Sequence, residues 1–323
     1  MLLSTKRRLN ICWCTVLFRF KTKQRTNEIG KVKVGGQPGE LPTVLIGNIF
    51  YKGMPEITDH ECGEFDAKSV LKWIALAEEL SEKTGVPHFL DVMASYPNAM
   101  KKYIRYVAER SSSVFLIDGA TPETRIAGLE TVEENGLQQK AVFNAIAPQT
   151  TREELVAIRE SKVTSAVLMA QNESDYSPAG RIAILKGFEG QKSLLKTAEE
   201  AGVKQVLVDT IVFDVPSIAY AVEAIRLVKE KLGYPAGCSP ANATFDWKLV
   251  QDKALRPGFA AYNASAHTLA QLGGANFLIY GPLKQAKNVI PACAMTDAII
   301  AYYAKKQFGT KPLVSNHPLY RIF

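Results

Sequence analysis

A chain of 323 residues, 47% of them hydrophobic, can bury a large core, and its length admits either two domains or one large α/β barrel. The formal charge of +7 is not spread along it: Lys6, Arg7, Arg8, Arg19, Lys21, Lys23 and Arg25 precede any acid, leaving 32 of the 39 basic residues against 32 acidic ones. A neutral body lacks the broad basic face that nucleic acid or an anionic membrane would select, so no nucleic-acid partner is expected.

The first 26 residues read as a basic extension, disordered or artefactual, ahead of one domain spanning 27–323. The apolar run in this extension, 11–18, has eight residues, against roughly 20 needed to cross a bilayer, so no stable membrane insertion is expected. No small-residue cleavage site follows it, which argues against a signal peptide, although a basic amphipathic segment can lie on anionic lipid. Five scattered cysteines, Cys12, Cys14, Cys62, Cys238 and Cys293, form no CxxC pair and indicate a reducing, cytoplasmic setting without disulfides.

From residue 43 onward, apolar and β-branched runs alternate with helical periodicity, the signature of βα units on a parallel sheet. Strands are predicted at TVLIGNIF (43–50), HFLDVM (88–93), VFLIDG (114–119), AVFNAI (141–146), SAVLMAQN (165–172), QVLVDT (205–210), PAGCSP (235–240) and FLIYGP (277–282). Helices are predicted over 66–85, with Asp66 as N-cap and Gly85 as stop, and over 97–110, 122–136, 151–161, 191–202 and 218–233. A last helix is predicted near 287–307, with the tail VSNHPLYRIF folded back over it. Eight strands with interleaved helices and no Pro/Gly/Ser-rich linker fit a single (β/α)8 TIM barrel better than a doubly wound sheet.

In such a barrel the chemistry gathers where the strands end. The polar residues there are Asp91, Asp118, Asn144, Gln171 with Asn172, Asp209, and, in the stretch GCSPANAT after the seventh strand, Asn242. Any one of them could be an ordinary helix cap or turn former. Together they form a ring of carboxylates and carboxamides without His or Lys. A carboxylate can take two N–H bonds from a 2-amino-pyrimidinone edge, and an amide can meet the adjacent carbonyl and ring nitrogen, so the ring suits a pterin or a guanine.

The blocks VGGQPGELPTVLIGNIFY, LIDG, VFNAI, LVDT and GGANFLIYGP resemble the methyltransferase family that includes the MtrH component of tetrahydromethanopterin S-methyltransferase. The resemblance extends to its bacterial relatives, the methylcobalamin:tetrahydrofolate methyltransferases, and runs from about residue 28 to the end. More distantly, the order of strand-end residues is similar to that of the pterin-binding barrels of the dihydropteroate synthase type. The resemblance implies methyl transfer between cobalt of a corrinoid and N5 of a tetrahydropterin. It implies pterin contacts at Asp118, Asn144 and Asp209, with Asn242 as the catalytic partner of N5, and the strand-end pattern adds Asp91, Asn172 and Ser239 as candidate pterin contacts. Two residues, Pro240 and Ala241, are inserted before Asn242 relative to the distant family, which leaves Ser239 or a backbone group as the alternative at N5.

The ending HPLYRIF resembles the bacterial members, so tetrahydrofolate is the expected pterin and tetrahydromethanopterin the alternative. No Asp-x-His-x-x-Gly pattern is present, so the cobalamin would arrive on a separate corrinoid protein, or as free methylcobalamin, at a barrel expected to be a homodimer. Family members tend to begin near residues 16–18, so residues 1–15 are expected to come from an upstream start codon. Cys238 as a zinc ligand lacks any closing spacing with His60, Cys62 or Cys293, and as a nucleophile it lacks a nearby base, so no metal is expected. An aldolase would want a strand-end Lys, and none is offered. The alternatives are a tetrahydromethanopterin methyltransferase of the MtrH kind within a larger complex and, as a second class of function, a non-catalytic pterin-binding barrel.

Overall fold

The apolar runs close into a barrel because each carries two apolar faces at period two. The computed structural model describes residues 18–248 and 252–321. The chain enters through a hairpin, β1 (Thr26–Ile29) and β2 (Val32–Gly35), then β3 (Val44–Ile49) and a small hairpin, β4 (Ile57–Asp59) and β5 (Glu64–Phe65). Next come α1 (Ala67–Thr84), β6 (His88–Ala94), α2 (Pro97–Arg110), β7 (Phe115–Gly119), α3 (Pro122–Glu134), β8 (Ala141–Ile146), α4 (Arg152–Ser161) and β9 (Ser165–Met169). The second half runs α5 (Pro178–Lys186), α6 (Leu194–Glu200), β10 (Gln205–Asp209), α7 (Ser217–Lys231), β11 (Ala236–Cys238), α8 (Pro240–Asp246), α9 (Phe259–Leu272), β12 (Phe277–Pro282) and α10 (Ala286–Phe308). The strands β3, β6, β7, β8, β9, β10, β11 and β12 pair in that order, all parallel, and β12 returns to β3. This is the predicted (β/α)8 barrel.

The two faces of the strands part into two cores. Val44, Ile46, Phe89, Leu116, Val142, Val167, Leu207, Phe277 and Ile279 fill the barrel interior. Their neighbours, such as Leu45, Leu90, Ile117, Phe143, Val208 and Leu278, pack outward against the helices. Each fully buried side chain of this kind contributes about 1.5–3 kcal/mol. Helix ends follow local chemistry: the Asp66 carboxylate accepts the N–H groups of Lys68 and Ser69, and Gly85 ends α1 in the left-handed region at φ 77°.

The β1–β2 hairpin, which no predicted strand covered, plugs the N-terminal end of the barrel. Ile29 and Val34 join the interior cluster, and Asn27 donates to the Val206 carbonyl at 2.7 Å. Residues 18–25, assigned above to the extension, pack on the barrel. The Gln37 side chain brackets the Phe20 backbone at 2.9 and 2.8 Å, and the Arg25 guanidinium lies 4.0 Å above the Tyr234 ring. The expectations for residues 1–15 lie outside the described residues. Among the described residues no helix is long and apolar enough to cross a membrane.

The seventh barrel strand, β11, is only three residues long and lies so close to β12 that a Cβ on Gly237 would meet the Phe277 carbonyl oxygen at 2.0 Å. Small size matters there. Gly237→Ala must push two paired backbones apart, and we expect a loss of about 1–3 kcal/mol, read as a lower urea midpoint with unchanged slope.

Candidate active site

One step of the strand period beyond the interior apolar layer, the inward residue turns polar. Ile46 is followed by Asn48, Phe89 by Asp91, Leu116 by Asp118, Val142 by Asn144 and Leu207 by Asp209, all at or beyond the midpoint of their strands, on the side of the C-terminal mouth. With Ser239 and Asn242 they line a cavity of about 300 Å³, completed by Met93, Met169, Ile279, Arg125, Gln149 and Thr150. A larger groove of about 830 Å³ runs along the opposite, N-terminal rim beside Lys31, Lys33 and Lys140. In barrels of this kind that rim serves stability rather than chemistry, so the smaller cavity is the site.

Asp91 is the deepest carboxyl, 1% exposed, and burial together with the facing carboxylates of Asp118 and Asp209 holds it well above the usual carboxylate range. The shift favours the protonated form of Asp91, with Asp118 as the facing hydrogen-bond partner. The Asn144 amide donates to Asp91 Oδ1 at 3.4 Å. Asp118 is pushed up to about 6 by burial, against the pull of the Arg125 cation. Arg125 itself is fixed in the first turn of α3: its Nε donates to the buried Glu154 carboxylate at 2.6 Å and its Nη1 to the Gly119 carbonyl at 2.6 Å. Asp209 is also raised to about 6 by burial, opposed by the Ile211 N–H that donates to its Oδ1 at 2.7 Å and by the Arg181 cation.

Asn242 reaches this layer because GCSPANAT ends in a helix. Pro240 opens α8, its missing N–H costing nothing at that position, and Asn242 falls in the first turn. The two inserted residues therefore carry Asn242 around one helical turn to the rim of the cavity. Ser239 Oγ donates to Asn242 Oδ1 at 3.0 Å, and the amide nitrogen sits 3.5 Å from the Val212 carbonyl. Cys238 points outward into the helix-facing core, fully buried, and burial pushes its thiol well above the ordinary range; a nucleophile would need the reverse.

The structure thus brings together Asp91, Asp118, Asn144, Asp209, Ser239 and Asn242. Asn172 lies elsewhere. Its Oδ1 accepts from Ser174, its Nδ2 donates to the Gly180 carbonyl at 3.1 Å, and it braces the loop between β9 and α5 outside the cavity. Its strand ends three residues earlier than predicted, at Met169, which is the inward residue there. Asn48 and Arg125 line the cavity without having been singled out. Asn48 donates to the Met93 sulfur at 3.1 Å while its Oδ1, buried, finds no partner among the described residues. No histidine or lysine lines the cavity, and among the described residues no group of three His, Cys, Asp or Glu side chains is placed to hold a metal ion.

The family model described as tetrahydromethanopterin S-methyltransferase MtrH subunit matches residues 22–313. The chain belongs to the MtrH family. The MtrH protein of Methanothermobacter thermautotrophicus, a component of tetrahydromethanopterin S-methyltransferase, is 35% identical over 95% of this chain and 100% of its own length. The corresponding component of mtx, a putative methyltransferase of Methanosarcina barkeri, is 33% identical over 94% of this chain and 99% of its own. Among solved structures, the dihydropteroate synthase of Xanthomonas albilineans superposes with a TM-score of 0.58 at 16% identity, over 86% of this chain and 98% of that one. The dihydropteroate synthase of Yersinia pestis superposes with 0.57 at 11% identity, over 85% and 98%. The chain therefore shares the barrel fold of dihydropteroate synthase, and the family to which it belongs is one of methyltransferases.

Proposed function

We propose that the domain of residues 27–323 binds a tetrahydropterin at the barrel mouth and moves a methyl group between its N5 and a corrinoid presented by another protein. The observation that carries this reading is the inward layer of Asp118, Asn144 and Asp209, two carboxylates and an amide around a cavity of about 300 Å³. That volume is at the small end for ligand sites, and it suits one bicyclic heterocycle rather than a macrocycle. Asp118 and Asp209 accept the N–H groups of the pterin edge, Asn144 meets its ring, and Asp91, buried beneath, steadies Asp118. Asn242, above them, faces N5.

N5 gains positive charge when it receives the methyl, and it must be protonated or strongly hydrogen-bonded when it gives the methyl up. The chain's part is to orient N5 and offer a hydrogen bond that adapts to either state, which a carboxamide does as donor or acceptor. The corrinoid is a co-substrate here, carried by a partner. The relatives are named as subunits, which supports work beside other chains over free methylcobalamin.

The ending HPLYRIF pointed to tetrahydrofolate. The name of the Methanothermobacter relative carries tetrahydromethanopterin instead, and its match over nearly the whole chain supports that pterin. Both pterins present the same edge to Asp118 and Asp209, so selection must lie in contacts beyond that edge. The purified chain, titrated calorimetrically, should bind tetrahydromethanopterin more tightly than tetrahydrofolate and, with a methylated corrinoid protein, yield methyl-pterin. Binding without methyl-pterin would make the chain a non-catalytic pterin carrier; no binding of either pterin sinks the reading.

A further inference from the structure

We infer that Arg181 is a positioning residue: from behind the sixth barrel strand its guanidinium holds the Thr210–Ile211 turn in the shape that aims Asp209 into the cavity. The inference rests on the pterin-binding reading above and adds a residue that does not line the site. Arg181 stands in the first turn of α5 and is 1% exposed. Its Nη1 donates to the Thr210 carbonyl and, at 3.0 Å, to the Ile211 carbonyl, while Nη2 finds no partner among the described residues. Among the described residues no carboxylate lies within ion-pair distance of it. A cation buried this way, spent on two successive carbonyls, is costly to the fold unless the turn it holds has a use.

The turn itself is strained. Ile211 has φ 59°, the left-handed region that a β-branched residue rarely enters. In that conformation its N–H points back to Asp209 Oδ1 at 2.7 Å, and Thr210 Oγ1 ties the same turn to the Ala221 carbonyl at 3.0 Å. One carboxylate oxygen is thereby pinned and the other is left for the ligand. If Arg181 released the two carbonyls, Ile211 would relax toward negative φ and carry its N–H away from Asp209.

The same cation acts on the charge of Asp209. The groups that face this carboxyl are Arg181 from α5, the Cys238 thiol from β11, the Asp91 carboxyl from β6 and the Ile211 N–H; Met169, Ser239 and Asn242 add no charge. Asp118 and Arg125 line the same cavity, but the cation that acts on Asp209 is Arg181. It opposes the burial that raises Asp209, so its loss must raise Asp209 further and move the acid limb of pterin binding to higher pH.

The test measures tetrahydropterin affinity by calorimetry from pH 5 to 8, with thermal melting of each variant. Arg181→Met should weaken binding at pH 7.5 about tenfold and raise the acid limb by about one pH unit. Adding Ile211→Gly to that variant should restore much of the affinity, because glycine takes a positive φ freely, and leave the acid limb displaced. A residue that merely stabilised the fold would show neither the displaced limb nor the rescue. Should Arg181→Met not fold, Arg181→Lys decides: lower affinity with an unmoved limb supports the inference, and unchanged affinity overturns it. Asp209→Asn separates the two levels of argument. If it weakens binding while Arg181→Met leaves affinity and limb unchanged, only the role of Arg181 is overturned; if Asp209→Asn binds as tightly as the native chain, Asp209 leaves the site and the inference falls with it, whereas the pterin reading falls only if the native chain binds neither pterin.

Discussion

Asp209→Asn is expected to weaken tetrahydropterin binding about 10- to 150-fold at pH 7.5, the cost of a hydrogen bond to a buried charge. The side chain sits at the last residue of β10, 8% exposed, with one oxygen already engaged by the Ile211 N–H. The free oxygen is the acceptor for the pterin edge, and in the variant an amide N–H can stand there against the N–H of the ligand. Two donors then face each other at a buried position, which is worse than a lost bond. Burial holds the native carboxyl at about 6, so the acceptor is charged above that value and protonated below it. Affinity for the unaltered protein should therefore climb as pH rises through 6, and the Asn variant should show no such climb at Asp209. Calorimetric titrations at pH 5, 6, 7 and 8 measure both, and a variant that binds as tightly as the native chain removes Asp209 from the site.

The fold was legible because alternation survives in every barrel strand, and the site was legible only where alternation was read to its end. Asp91, Asp118, Asn144 and Asp209 are each two positions beyond an inward apolar residue, and all four stand out in the sequence for that reason. The same step from Ile46 leads to Asn48, which was passed over because the run TVLIGNIF stays apolar around it. In SAVLMAQN the step leads from Val167 to Met169, and reading on to the polar Asn172 left the strand and entered a loop. Arg125 could not be found this way, since it comes from the first turn of a helix and reaches the cavity only because Glu154 and the Gly119 carbonyl fix it. The β1–β2 hairpin escaped because four-residue strands with a charged residue, Glu28 or Lys33, on the outer face carry too little apolar pattern to stand out. The helix α8 escaped because it begins directly on Pro240, two residues past the end of a three-residue strand, where a bend was the natural expectation.

That helix is what makes Asn242→Ala informative. The variant should lower the rate of methyl-pterin formation about 100-fold, the loss expected when the group that orients the reacting nitrogen is removed, while tetrahydropterin affinity changes little. The division follows from geometry. Asp118, Asn144 and Asp209 lie toward the strand ends and hold the ligand edge, whereas Asn242 is exposed at the rim and its side chain, among the described residues, hydrogen-bonds to Ser239 and the Val212 carbonyl. Ser239 fixes the amide through Oδ1, and the long 3.5 Å contact to Val212 leaves the amide nitrogen largely free to serve N5. Ser239→Ala should then fall between the native chain and Asn242→Ala in rate, because the amide keeps its chemistry and loses its orientation. Single-turnover formation of methyl-pterin, set beside calorimetric affinity for the same variants, distinguishes the roles. A native rate in Asn242→Ala with a strong defect in Ser239→Ala would move the partner of N5 from the amide to the hydroxyl beneath it, and the helical turn opened by Pro240 would then be a lid over the site rather than the arm that serves it.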